Sequence, residues 1–161
     1  MDSVALLLKL AHIGLAMGLV AGIFGRWIVL SRAAAEDRID RTAELSELAG
    51  PFERLVIRSS MFIIPVGLAT AWAQGYDWLG LTTFWMLASL VLFVATMLLV
   101  PTVFIPRGRR FEAALAAARE AGAVTPELRA AFADGAVRFA RTAEIVVLAI
   151  IVVLMVVKPT L

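Results

Sequence analysis

Apolar and polar positions are sharply segregated along this chain. Four long apolar stretches, about 4–30, 55–74, 78–105 and 139–157, alternate with segments where charge is concentrated. At 1.5 Å per helical residue, each is long enough to cross the roughly 30 Å hydrocarbon layer of a bilayer. The first is interrupted by Lys9, His12 and Arg26, and the second has no charge after Arg58. No charged residue lies between Trp78 and Pro106, and the fourth stretch carries Arg141 and Glu144 near its start. In lipid an isolated segment must satisfy its own backbone polar groups, so these stretches predict helices. The expected fold is all-α: an integral membrane four-helix bundle in one domain, with amphipathic cytoplasmic helical extensions.

The extensions are read from the links, 31–54 and 106–138. Gly50-Pro51 predicts a break and restart, with proline suited to a first helical position. Thr125-Pro126-Glu127 is a second such start, with a capping hydroxyl and an acid near the positive helix end. Between it and Pro159 only Gly135 interrupts, which predicts one helix over about 126–157 that projects from the membrane before crossing it. Alanine-rich Arg107–Ala121 predicts a further short helix. Pro65 and Pro101 predict kinks in the second and third spans. Asp2 stands where a signal peptide would be basic, so the first stretch reads as a retained helix.

Charge then orients the bundle. Of the 15 Lys and Arg, all but Lys9 and Lys158 fall at the ends of the spans facing the two long links or within those links. The short link between Gly75 and Gly80 has no basic residue. By the positive-inside rule the long links are cytoplasmic and both termini face outward, to the periplasm or its equivalent, which predicts a multi-pass membrane protein. Trp72, Tyr76 and Trp78 flank the short link, where amphipathic aromatics suit the headgroup layer. In the first long link the arginines interleave with Glu36, Asp37, Asp40, Glu44, Glu47 and Glu53, a surface suited to membrane lipids. The pI near 9.7 therefore needs no nucleic acid to explain it.

Composition agrees, with 61% hydrophobic residues, 17% charged and a mean hydropathy of +0.91. A soluble chain has roughly 45–50% and 25%. The absence of cysteine excludes disulfides, thiolate metal sites and iron–sulfur clusters, and a single histidine excludes multi-histidine metal sites within one chain.

Few residues carry candidate chemistry. His12 sits roughly 12 Å deep on the first helix and is either a haem or metal ligand or a hydrogen-bonded core histidine. If haem is present, Met86, at comparable depth on the third helix, is a candidate second ligand, with an oxygen atom or an open position as equal alternatives. Lys9 and Lys158 lie toward the same surface and either snorkel or hold an anion such as a haem propionate. Arg26 and Glu144 are placed to pair between helices one and four, with Arg141 a competing partner for the glutamate. Their alternatives are a structural charge cluster or a site. Gly14, Gly18 and Gly22 repeat every four residues, forming a packing face within the bundle, a dimer seam or a cofactor surface.

The stretch Leu7-Leu8-Lys9-Leu10-Ala11-His12-Ile13 followed by Arg26 resembles the opening of a group of small bacterial four-helix membrane proteins. Phe52-Glu53-Arg54-Leu55 through Pro65-Val66-Gly67-Leu68 resembles their second helix, and Arg141-Thr142-Ala143-Glu144 through Lys158-Pro159 their last. The group includes the HemJ-type protoporphyrinogen oxidases, the CopD-like proteins and a predicted integral membrane protein family of unknown function, which is the nearest in pattern. Resemblance to the HemJ type implies bound haem b with His12 as a ligand, and roles near a porphyrin for Arg26, Glu144 and Lys158. The chain departs from that type in having Ala143 before the glutamate, no proline shortly after it, and no second histidine. The leading expectation is a haem-binding redox protein. The alternatives are a non-catalytic accessory or assembly subunit that packs, through the glycine face or the long cytoplasmic helices, against a larger membrane complex, and a small oligomeric transporter. The expected partners are membrane lipids and either a second copy or that larger complex. The residues assign no substrate or reaction.

Overall fold

The computed structural model describes residues 3–159. Their order is α1 (Ser3–Ala34), α2 (Ile39–Ala73), a 3-10 turn (Asp77–Gly80), α3 (Phe84–Met97), a π-helical turn (Val100–Phe104), α4 (Ile105–Ala121), α5 (Pro126–Phe132) and α6 (Gly135–Val157). No strand occurs among the described residues. Four helical runs are long and apolar enough to cross a membrane, so the chain is an all-α membrane bundle.

Within the bundle α1 packs chiefly on α2, and α3 on α6. The two pairs meet through side chains. Leu19 and Ile23 of α1 and Phe93 of α3 form the buried centre, flanked by Val56, Ile63 and Ile64 of α2 and Ile145, Leu148 and Ile151 of α6. Large apolar side chains elsewhere point outward, including Leu7, Met17, Met61, Leu98 and Val153. This inversion is what a lipid-facing surface requires.

A second, smaller core lies at the arginine-rich end. Ile39 from the start of α2, Ala118 of α4 and Leu128 of α5 are buried together, with Phe111, Leu115 and Phe132 against them. Local signals shape it. Gly122 ends α4 in the left-handed conformation (φ +67), its N–H donating to the Arg119 carbonyl and the Ala123 N–H to that of Ala118. The Thr125 hydroxyl accepts from the Leu128 N–H to start α5.

The helix boundaries differ from expectation in three places. Gly50-Pro51 does not break α2, which runs unbroken from Ile39 to Ala73. Proline removes only its own N–H, and each half of the helix is anchored in a different core, so packing outweighs one lost hydrogen bond. The helix expected over 126–157 is divided instead. Asp134 starts α6 afresh, its carboxylate accepting from the Ala136 and Val137 N–H groups at 2.9 and 3.2 Å. The third span begins at Phe84, because Trp78, Leu79 and Gly80 all adopt positive φ. Pro101 lies in the π-helical turn, which joins α3 to α4 in place of a separate link.

Asp134 also accepts from Arg107 Nε at 3.2 Å, tying α6 to α4. Partial burial acts to raise its pKa, but the two amides and Arg107 outweigh it and hold the carboxyl below its ordinary value. A carboxyl with a depressed folded pKa stabilises the fold above its unfolded pKa, and the contribution disappears as pH falls through the folded value. Asp134→Ala is expected to cost about 1 kcal/mol at neutral pH. The gap from wild type should narrow below about pH 4, measured by helicity during detergent-mediated unfolding. A gap independent of pH would assign the effect to lost packing instead.

Candidate functional site

The α1–α2 contact is built on glycines. A Cβ at Gly18 would stand 2.7 Å from Ser59 Oγ, and one at Gly22 would stand 2.6 Å from Val56 Cγ2 and 2.9 Å from the Phe52 carbonyl oxygen. Gly25 is covered by the Phe52 ring. Gly14 has nothing within 4 Å of its Cβ position and is exposed. The close face therefore runs through Gly18, Gly22 and Gly25. The step from Gly22 to Gly25 departs from the four-residue spacing but keeps the same helix face, a signal that the spacing rule passed over.

His12 lies on this α2-facing side, nearer the termini. Its ring fits a notch at Gly67, where a Cβ would come 2.9 Å from Cε1 and 3.2 Å from Nδ1. The ring approaches the Ile63 carbonyl of α2, but Nδ1 is buried without a hydrogen-bond partner. Gly67 is what lets the imidazole lie against a backbone.

The other candidates at this end have different engagements. Met86 places its sulfur on Gly80 in the 3-10 turn. Lys158, at the end of α6, holds its Nζ 5.3 Å from the centroid of buried Trp85, which also meets Tyr76 edge-on. Lys9 is exposed. As a haem site these residues fit at one point. Only His12 offers a nitrogen that would suit haem iron, its ring restrained at Gly67 and its Nδ1 without a hydrogen-bond partner among the described residues, whereas Met86 and Lys158 are engaged elsewhere. Among the described residues, no three His, Cys, Asp or Glu side chains gather as a metal site.

At the arginine-rich end the structure brings three charges together. Arg26 Nη2 of α1 donates to Glu144 Oε2 of α6 at 3.2 Å, with side chains only 15% and 8% exposed. The Phe104 ring, presented by the π-helical turn, lies 5.2 Å from the Arg26 guanidinium carbon. Arg141, one turn before Glu144, is half-buried, and its Nε has no hydrogen-bond partner among the described residues. A cavity of about 20 Å³ adjoins Glu144 between Leu19, Phe93, Thr96 and Leu148, space for about one water. Phe104 had no sequence signal, because its place depends on the unwound turn around Pro101.

His12 and Arg26, 14 residues apart on α1, are separated by about 21 Å along the helix. The molecule therefore has two distinct polar places, a lone imidazole near the termini and a charged cluster near the long links. An apolar core lies between them. No curated protein and no solved structure matches the chain. A family model described as a predicted integral membrane protein matches residues 6–159. With nearly its whole length matched, the chain belongs to that family of predicted integral membrane proteins, DUF2269.

Proposed function

We propose that the chain is a redox protein of a bacterial inner membrane that binds one haem b through His12, its termini periplasmic and its long links cytoplasmic. The observation that carries the reading is the seat of the only histidine. Ligating imidazoles are commonly held by a hydrogen bond from their other ring nitrogen, which sets the tautomer. Nδ1 lies nearer Gly67 than Nε2 does, so with its proton on Nδ1 the ring would offer the Nε2 lone pair to iron. The Gly67 notch restrains the ring. When bound, haem supplies a one-electron couple at its iron; the chain supplies the ligand and an apolar surround that favours the less charged state.

Two alternatives have less support. An accessory subunit docking through the glycine face would need a free seam, but Gly18, Gly22 and Gly25 already carry the α1–α2 contact. A small oligomeric transporter would need its polar route between chains, because Leu19, Ile23 and Phe93 fill the centre of each one. Visible spectra of the purified protein, oxidised and reduced, test the proposal. A Soret band that shifts on reduction and is lost in His12→Ala is expected. Absence of the band after haem-replete expression ends the reading, and retention of it in the variant removes His12 as the ligand.

A further inference from the structure

The charged cluster poses a separate problem of balance. Two guanidiniums and one carboxylate share a poorly hydrated layer where α1 meets α6. Glu144 precedes Lys158 by 14 residues, so about 21 Å of helix separates it from the far interface. With roughly 30 Å of hydrocarbon to cross, that places Glu144 inside the layer by about 9 Å. Unpaired charge at such depth is costly, and ionisable groups there commonly mark sites.

The chain supplies too few partners. Among the described residues, Glu144 is the only carboxylate within ion-pair distance of Arg26, and none is within that distance of Arg141. The charges that act on Arg141 are Arg26, which repels it, and Glu144, which is already bonded to Arg26. Three other acids toward the arginine-rich end are paired with other arginines: Asp134 with Arg107, Glu47 with Arg119 and Asp37 with Arg129. One net positive charge and one buried guanidinium nitrogen therefore remain without a counterpart.

The surroundings suit a ligand entering from the arginine-rich end. The cluster sits where the two helix pairs meet, and their close backbone packing lies within the pairs. The π-helical turn beside it places Phe104 over one face of Arg26, and such turns recur at functional sites. A guanidinium presents parallel N–H donors that match the oxygens of a phosphate.

We propose that Arg141, with Arg26 beside it, binds a phosphate oxyanion at this end of the bundle, either a phospholipid headgroup from the adjoining leaflet or a soluble phosphate compound. The anion completes the charge balance and gives Arg141 Nε its acceptor. Glu144 competes with it for Arg26 and so limits affinity. The site is independent of the haem proposal, being about 21 Å from His12 along α1, and His12→Ala should leave it unchanged.

The test uses the full chain in neutral detergent, with thermal unfolding and native mass spectrometry as readouts. The probes are inorganic phosphate against chloride at equal ionic strength, and micelles doped with short-chain phosphatidylglycerol against phosphatidylcholine. Saturable binding of one equivalent is expected, with Arg141→Gln weakening it at least tenfold and Arg141→Lys recovering part of the loss. Glu144→Gln should tighten binding several-fold, an outcome that a purely structural cluster would not produce. A response to phosphatidylglycerol alone identifies the lipid headgroup, and a response to inorganic phosphate identifies a soluble ligand. Equal affinity of wild type and a folded Arg141→Gln for both probes overturns the site, as does a response that follows ionic strength only.

Discussion

Replacing Gly22 by leucine is expected to destabilise the bundle more than any other single change on the α1 glycine face. The Cβ alone would meet Val56 Cγ2 at 2.6 Å, the Phe52 carbonyl oxygen at 2.9 Å and the Val56 nitrogen at 3.1 Å. Two of those atoms are backbone, so no rotamer change relieves the contact and α1 must move away from α2. Overpacking against side chains costs about 1–3 kcal/mol; against a helix backbone the upper end or beyond is expected. Because α1–α2 is the closest helix pair, the separation also loosens the Leu19 and Ile23 core. Gly14→Leu is the control. With nothing within 4 Å of its Cβ position, it should change stability by less than about 0.5 kcal/mol. Both are measured by titrating mixed micelles with a denaturing detergent while following helicity. Similar midpoints for the two variants would show that the close α1–α2 approach is wrong.

Glu144→Leu is expected to produce the second large effect, for an electrostatic reason. The carboxylate is 8% exposed and, among the described residues, is the only one bonded to Arg26. Removing it leaves Arg26 and Arg141 in a low-dielectric layer with no carboxylate among the described residues within ion-pair distance of either. Breaking one side of a buried pair costs about 3–5 kcal/mol, mostly as the penalty of the stranded charge. Removing Arg26 as well, in Arg26→Met with Glu144→Leu, should recover much of that loss, because neither charge then needs solvation. The same unfolding titration in phosphate-free, neutral detergent reads both. If the single variant loses less than about 1 kcal/mol, the pair is solvated and the cluster lies at the interface, not within the hydrocarbon.

The contrast between these variants also separates what a one-dimensional pattern contains from what it lacks. Periodicity placed Gly14, Gly18 and Gly22 on one face, but a repeat along one helix contains no information about where a neighbouring helix begins to diverge. Gly14 lies beyond the close approach and Gly25 within it. The Arg26–Glu144 link was suggested by similar depth on two spans. That Arg26, and not Arg141, takes the carboxylate depends on side-chain reach across the α1–α6 meeting. His12 was visible as a lone imidazole in an apolar run. Its contact with Gly67 required the relative rotation of two helices, which no local pattern encodes.

The sequence alone determined the four spans and the asymmetry of charge between their ends. Lipid imposes length and apolarity one segment at a time, and both can be read one residue after another. It also contained the start of α5, in Thr125-Pro126, whereas the pattern over 126–157 reads as one helix and the start of α6 rests on the Asp134 carboxylate accepting from two amides. Only the tertiary structure decided whether Pro51 broke a helix, which glycines carried the α1–α2 contact and which arginine lacked a partner. Each of those outcomes depends on what a neighbouring segment provides. An anchored core can outweigh a missing hydrogen bond, a backbone can exclude a methyl group, and one carboxylate can satisfy only the guanidinium that reaches it.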